Sequence, residues 1–189
     1  MSAAPPLNDP APLAAIAARI TRPVVLVGLM GVGKSTVGRK LAGLLQRDFV
    51  DADEAIVEAA QRSIPEIFET FGEAYFRDGE RRVIARLMDE SHGVIATGGG
   101  AFVDPATRAL VLERGIAVWI DCDIDTLVER TARRGNRPLL KSGDPRDILT
   151  RLAQERAPFY GQAHIRVVSE TGPHADTARA IIEAIDQWL

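Results

Sequence analysis

Short apolar runs alternate with longer amphipathic stretches along most of this chain. Runs that are apolar at nearly every position are typical of strands covered on both faces, and the stretches between them carry apolar residues at helical spacing. Strands are predicted at Val24–Val27, Asp48–Val50, Val94–Thr97, Ile116–Ile120 and Ile165–Val168. Helices are predicted at Lys34–Leu45, Ala55–Ala60, Pro65–Phe71, Glu73–Glu90, Pro105–Glu113, Ile124–Arg134, Pro145–Arg156 and Ala175–Trp188. This order predicts successive βαβ units, and therefore a three-layer α/β fold in which a five-stranded parallel sheet has helices on both faces.

Residues 1–22 precede the first predicted strand and differ from the rest of the chain in composition. They contain four prolines and many alanines, without a positively charged leader followed by an apolar segment. This bias predicts a flexible N-terminal extension, with a short helix at Leu13–Ile20. We expect a single domain over residues 23–189, and we expect deletion of the extension to leave turnover and melting temperature nearly unchanged.

Composition narrows the range of partners. Hydrophobic residues make up 46% of the chain and charged residues 26%, which is the balance of a globular protein in water. Because 23 basic residues stand against 26 acidic ones, the net charge is −3, and general nucleic-acid binding is not expected. The only cysteine, Cys122, cannot form an internal disulfide, which favours the cytoplasm. We expect a cytoplasmic monomer that binds neither nucleic acid nor a membrane.

A glycine-rich segment, Gly28–Thr36, follows the first predicted strand directly and fits the phosphate-binding pattern G-x-x-x-x-G-K-[ST]. Glycines let successive backbone N–H groups point at phosphate oxygens, and the helix that follows adds its positive N-terminal end. The segment predicts nucleotide contacts from Gly31, Val32, Gly33, Lys34, Ser35 and Thr36. In this P-loop, Lys34 is placed to bridge the β- and γ-phosphates of ATP, and the Ser35 hydroxyl to bind Mg²⁺. The short chain and the absence of a guanine-reading Asn-Lys-x-Asp sequence favour a small-molecule kinase.

Two further segments lie at predicted strand ends, where ligands bind in parallel α/β folds. The second strand leads into Asp51 and Asp53, of which one carboxylate can reach magnesium and the other an acceptor hydroxyl. The alternative is that one of them caps the next helix, since aspartate is a favoured cap. The third strand leads into Gly98, Gly99 and Gly100, where a ligand can approach the backbone closely, unless they form only a flexible turn.

Taken together, these motifs resemble those of the shikimate kinases in order and spacing. The motifs are Gly28–Thr36, Asp51–Asp53, Phe76–Glu80, Gly98–Gly100, Arg137–Leu140 and Glu155–Tyr160. The resemblance spans roughly Val24 to Val168 and implies a P-loop kinase fold like that of nucleoside monophosphate kinases. It also implies that ATP and Mg²⁺ are used to phosphorylate the 3-hydroxyl of shikimate, giving shikimate 3-phosphate and ADP on the pathway to chorismate and the aromatic amino acids.

The resemblance also implies residue roles. Lys34 resembles the phosphate-bridging lysine, and Ser35 and Asp51 resemble the magnesium site, with Asp51 acting through water. Asp53 and the backbone of Gly98, Gly99 and Gly100 resemble the groups that contact shikimate. Arg77 and Arg156 resemble the two arginines that bind its carboxylate. Arg130 falls beside the adenine. Independently, Glu80 follows Arg77 by three residues on a predicted helix, close enough to orient its guanidinium.

Residues 134–145, with two glycines, two prolines and several basic side chains, predict a loop that serves as a lid. By resemblance, Arg137 closes over the transferring phosphate, so we expect catalysis to rest on Lys34, Asp53 and Arg137. Two alternatives remain open. One is a kinase for another small polyol acid such as gluconate, or for a nucleoside monophosphate. The other is a nucleotide-binding regulator without transfer chemistry.

Overall fold

A five-stranded parallel sheet organises the chain in the computed structural model, which describes residues 10–90, 93–133, 140 and 143–189. The strands are β1 (Val24–Val27), β2 (Phe49–Asp51), β3 (Val94–Ala96), β4 (Ile116–Asp121) and β5 (Ile165–Val168). Their order across the sheet is β2-β3-β1-β4-β5, and every neighbouring pair is parallel. The central strand β1 is buried along its whole length, as its continuous apolar run predicted.

Helices cover both faces of this sheet. They are α1 (Pro10–Arg19), α2 (Lys34–Leu45), α3 (Ala52–Ala60), α4 (Ile64–Glu90), α5 (Pro105–Arg114), α6 (Ile124–Ala132), α7 (Pro145–Tyr160) and α8 (His174–Trp188). Right-handed crossovers place α2 on one face, because β1 to β2 runs in one direction, and α4 and α5 on the other, because the later crossovers run in the opposite direction. Accordingly α2 packs against α1 and α8, while α4 packs against α5. None of the helices in the described ranges is long and apolar enough to cross a membrane.

The predicted α/β fold is confirmed, with small shifts at the ends of elements. Helix α3 begins at Ala52, three residues earlier than predicted, because the Asp51 side chain caps it by accepting a hydrogen bond from the backbone of Asp53. The break predicted between two helices at Gly72 is confirmed, because its φ of 83° and ψ of 173° are not helical and α4 is kinked there. Helix α7 continues four residues beyond the predicted end and includes Pro158.

The N-terminal segment differs from its prediction as a flexible extension, for the part that the structure describes. Leu13, Ile16 and Ile20 are buried in the main core, with exposed fractions of 9%, 8% and 2%. Arg47 donates hydrogen bonds to the backbone carbonyls of Ala17 and Ile20, at 2.8 and 2.6 Å. Helix α1 is therefore a packed part of the domain, because its apolar positions fall on one helical face that the core can cover.

Candidate active site

The carboxyl ends of β1, β2 and β3 open into a cleft of about 340 Å³. Its walls include the P-loop, the segments that directly follow β2 and β3, and the start of α8. The lining residues are Met30, Gly31, Gly33, Lys34, Ser35, Thr36, Asp51, Asp53, Thr97, Gly98, Gly99, Arg130, Arg133 and His174. The structure thus brings together, in one cleft, groups that the sequence spreads over more than half of its length.

The P-loop wraps from β1 into α2 through a backbone that only glycine adopts easily. Gly28 has a φ of 140°, and a Cβ added there would lie 2.5 Å from the carbonyl oxygen of Ile120. Helix α2 begins at Lys34 without a side-chain cap, so its first N–H groups are available to phosphate oxygens. Lys34 Nζ donates to the carbonyls of Gly28 and Leu29 at 2.7 and 2.8 Å, which holds the ammonium over the loop.

Asp51 joins the P-loop to the second strand end. Its Oδ2 accepts a hydrogen bond of 2.5 Å from the Ser35 hydroxyl, and its Oδ1 accepts one of 3.0 Å from the backbone N–H of Asp53. The capping role considered for one aspartate therefore holds for Asp51. It does not exclude a metal role, because the same carboxylate also meets the hydroxyl predicted to bind magnesium.

Asp53 is the second residue of α3 and faces the triple-glycine segment. A Cβ added at Gly98 would lie 2.9 Å from Asp53 Oδ1. Burial raises the pKa of Asp53 above its usual value, and the charge of Asp51 raises it further, while the charges of Lys34 and Arg77 lower it. A carboxylate in this setting is close to both the phosphate-binding lysine and the cation predicted to bind the acceptor.

Arg77 projects from α4 towards Gly100. A Cβ added at Gly100 would lie 2.3 Å from Arg77 Nη2, so the guanidinium lies directly against this glycine and would have to shift for a larger residue. Arg77 Nη1 donates to Glu80 Oε2 at 2.6 Å, which confirms the predicted contact between the two side chains. Burial raises the pKa of Glu80, whereas the charge of Arg77 and its hydrogen bond lower it. Glu80, exposed by only 1%, therefore fixes the direction of the guanidinium from the buried side.

Arg156 approaches the same segment from α7. Its Nη1 would lie 3.1 Å from a Cβ added at Gly99, next to the glycine that Arg77 contacts. Two cations from distant helices therefore converge on the adjacent glycines Gly99 and Gly100, and Asp53 lies against Gly98 beside them. This arrangement is what a small acceptor carrying one carboxylate and several hydroxyls needs.

Arg130 connects the P-loop to the segment before α8. Its Nη1 donates to the carbonyl of Val32 at 3.1 Å and to Ser169 Oγ at 3.2 Å, and its Nη2 donates to the carbonyl of Glu170 at 2.8 Å. The guanidinium lines the cleft next to the P-loop residue Val32. Arg137 and most of the predicted lid, at residues 134–139, 141 and 142, lie outside the described residues.

Sequence reasoning missed several lining residues. His174 opens α8, and its imidazole Cε1 would lie 2.9 Å from a Cβ added at Gly33. Arg133 lines the same part of the cleft. Neither belongs to a motif, so only the folded structure identifies them. Met30 and Thr97 did carry a signal, because Met30 lies inside the P-loop pattern and Thr97 directly precedes the triple glycine.

The strand, glycine-rich loop and helix, with an acidic strand end beside them, define the chain as a P-loop phosphotransferase. A family model described as shikimate kinase matches residues 30–186. The chain is 67% identical over 178 residues to a shikimate kinase of Novosphingobium aromaticivorans, covering 92% of each protein. The chain therefore belongs to the shikimate kinase family.

Solved structures agree with this assignment. The fold matches a shikimate kinase from Acinetobacter baumannii in complex with shikimate, with a TM-score of 0.82 at 40% identity, over 90% of this chain and 96% of that one. A gluconokinase from Sinorhizobium meliloti matches with a TM-score of 0.63 at 18% identity, over 89% of this chain and 94% of that one. The second likeness shows a common fold and carries no information on the acceptor.

Proposed function

We propose that this protein transfers the γ-phosphoryl group of ATP to the 3-hydroxyl of shikimate, giving shikimate 3-phosphate and ADP. The observation that carries the proposal is the convergence of Arg77 and Arg156 on Gly100 and Gly99, with Asp53 against Gly98, in a glycine segment whose first two residues line the cleft that contains the P-loop. Shikimate is a carboxylate with three hydroxyls, so guanidinium groups match its acid and an aspartate matches a hydroxyl. Membership of the family and the likeness to a shikimate complex at 40% identity support the same acceptor.

On the donor side, the backbone of residues 31–36 binds the phosphates of ATP, and Lys34 neutralises charge on the β- and γ-phosphates. Lys34 is already held over the loop by the carbonyls of Gly28 and Leu29, so little reorientation is needed. Arg130 contacts the adenine of ATP, and its hydrogen bonds to the carbonyls of Val32 and Glu170 connect the P-loop to the segment before α8.

The oxygen atoms of Ser35 and Asp51 fit a magnesium site. Magnesium prefers oxygen ligands and is commonly held by one or two protein groups together with water and substrate phosphates. The hydroxyl and carboxylate are 2.5 Å apart, so one ion or its water can meet both. When bound, the ion supplies positive charge to the phosphate oxygens as negative charge develops on them.

On the acceptor side, Arg77 and Arg156 orient the shikimate carboxylate, and Asp53 accepts a hydrogen bond from the hydroxyl that is to be phosphorylated. Burial raises the pKa of Asp53, and a higher pKa makes its carboxylate a stronger base towards the hydroxyl proton. Positioning and charge neutralisation supply most of the rate increase, as in phosphoryl transfer generally.

The proposal extends to the setting of the enzyme. It operates as a cytoplasmic monomer on the pathway to chorismate and the aromatic amino acids, and Arg137 supplies further positive charge to the transferring phosphate. Family membership supports the pathway, and the single cysteine supports a reducing compartment.

The decisive experiment is an ADP-release assay with ATP, Mg²⁺ and a panel of acceptors: shikimate, gluconate and a nucleoside monophosphate. We expect turnover with shikimate to exceed that with the others by at least about a hundredfold, since a site built for a carboxylate and hydroxyls rejects ligands that leave its groups unpaired. A Lys34→Ala variant, purified in parallel, controls for contaminating kinases. Preference for gluconate would overturn the acceptor, and ATP binding without ADP release would indicate a regulator.

A further inference from the structure

Tyr160, the last residue of α7, connects both sides of the acceptor site. Its side chain is buried, with 1% exposed, and its hydroxyl donates a hydrogen bond of 2.5 Å to the carbonyl of Gly99. We propose that Tyr160 is a positioning residue for the acceptor, holding the triple-glycine backbone and the Arg156 guanidinium in one arrangement. The inference rests on the proposed function and adds a residue to its machinery.

Tyr160 and Arg156 are neighbours on the surface of α7. The two residues are four apart on α7, so their side chains lie on one face of the helix. Burial raises the pKa of the Tyr160 phenol, while the charge of Arg156 and a hydrogen bond with its side chain lower it, followed by the charge of Arg77. Both cations of the acceptor site are therefore close enough to act on this oxygen.

Tyr160 and Arg156 both meet the triple-glycine segment at Gly99. The Arg156 guanidinium lies against Gly99, where it would be 3.1 Å from an added Cβ, and the Tyr160 hydroxyl binds the carbonyl of the same residue. The phenolic oxygen thus binds the carbonyl of the same glycine against which the Arg156 guanidinium lies. If that oxygen is removed, each can shift independently of the other.

The Tyr160 ring is anchored in the hydrophobic core. The ring packs against Trp119 of β4, with the ring centroids 5.9 Å apart, and belongs to the main hydrophobic cluster. The aromatic ring therefore supplies packing, and the hydroxyl alone supplies the contacts with the site. Substitution by phenylalanine separates these two contributions, because it keeps the ring and removes only the oxygen.

The test compares Tyr160→Phe with Tyr75→Phe, which removes the hydroxyl of the only other tyrosine. Tyr75 is 52% exposed and stacks on Phe71 outside the acceptor site. We expect Tyr160→Phe to raise the KM for shikimate about five- to tenfold, as for loss of one well-placed hydrogen bond, while the KM for ATP stays within about twofold. Tyr75→Phe should match the unsubstituted enzyme in both constants.

An acceptor analogue that lacks the carboxylate gives a second readout. Because Tyr160 acts through Arg156, the difference between Tyr160→Phe and the unsubstituted enzyme should largely disappear with this analogue. Equal KM values for shikimate, or an equal rise in both KM values with a lower melting temperature, would refute the positioning role and leave the proposed function intact. Lack of shikimate turnover by the unsubstituted protein would refute the proposed function itself, and with it this inference.

Discussion

Replacing Arg77 by alanine separates the binding role of this side chain from its role in stability. The Arg77 side chain is 21% exposed and lies against Gly100, while its partner Glu80 is 1% exposed and accepts a hydrogen bond of 2.6 Å from it. The substitution therefore has two consequences. It removes a cation from the acceptor site, and it leaves a buried carboxylate without its guanidinium.

The loss of shikimate binding and the loss of stability can each be estimated. Charge-assisted hydrogen bonds contribute about 1.5–3 kcal/mol, so the KM for shikimate should rise about ten- to a hundredfold. Breaking a buried ion pair costs about 3–5 kcal/mol, part of which is relieved when the remaining carboxylate takes up a proton, so we expect a loss of about 2–4 kcal/mol. For a domain of this size that lowers the melting temperature by roughly 4–16 °C.

The pH dependence of this loss follows from Glu80. Burial already raises its pKa above the unfolded value, and Arg77 opposes that shift. Without Arg77 the folded-state pKa rises further, so the penalty for the ionised carboxylate is complete above that pKa, shrinks as the pH falls below it, and is gone below the unfolded-state pKa. Arg77→Ala should therefore lose most stability at alkaline pH and least in mild acid.

Three variants make the measurement specific. Arg77→Ala is compared with Arg77→Ala/Glu80→Gln, which removes the stranded charge, and with Arg82→Ala, whose exposed pairing with Asp78 should contribute under about 1 kcal/mol. Thermal melts and shikimate titrations in the ADP-release assay are run on each. The double variant should regain most of the melting temperature but none of the shikimate affinity. If Glu80→Gln fails to restore stability, or restores binding, the division between the two roles is wrong.

Three further predictions concern other parts of the site and fold. Deleting residues 1–20 should lower the melting temperature by at least about 5 °C, because α1 buries apolar side chains and its backbone binds Arg47, and an unchanged melt would contradict that packing. Asp51→Asn should raise the magnesium concentration needed for half-maximal turnover without lowering the melting temperature, because asparagine caps a helix as well as aspartate does; an unchanged magnesium titration would exclude Asp51 from the metal site. Asp53→Asn should reduce kcat/KM for shikimate at least about a hundredfold with little change in KM for ATP. The same variant should melt no lower at pH 7, since the raised pKa of Asp53 makes its ionised form unfavourable to folding above that pKa, and a clear drop would contradict this sign.

Most of the fold could be predicted because its apolar strands alternate with amphipathic helices, and because the central strands β1 and β3 are buried at every residue and therefore read as apolar runs. Val24–Val27 and Ile165–Val168 were predicted at their observed bounds. The P-loop was equally accessible, because its glycines, lysine and hydroxyl are consecutive in sequence. In both cases the information is local, and few other conformations satisfy it.

Contacts between distant segments could not be predicted in the same way. The Tyr160 hydroxyl and its acceptor Gly99 are 61 residues apart, and nothing near either residue indicates the other. The position of His174 beside Gly33 likewise depends on how α8 packs against α2. Helix α1 is a different case, since Leu13, Ile16 and Ile20 do lie at helical spacing, but the surrounding prolines and alanines favoured a flexible interpretation.

The acceptor side of the cleft combines groups that favour binding with groups that oppose folding. Asp53 and Glu80 both have raised pKa values, each mainly because of burial. The charge of Arg77 lowers both pKa values, and the charge of Asp53 raises that of Glu80. A sequence selected for stability alone would replace such carboxylates by neutral side chains, because buried charges are retained only at a cost. Glu80 orients the Arg77 guanidinium from the buried side, and in the proposed function Asp53 accepts a hydrogen bond from the acceptor hydroxyl. The destabilising charges therefore lie where shikimate phosphorylation requires them, which is the pattern expected when activity and stability compete at one site.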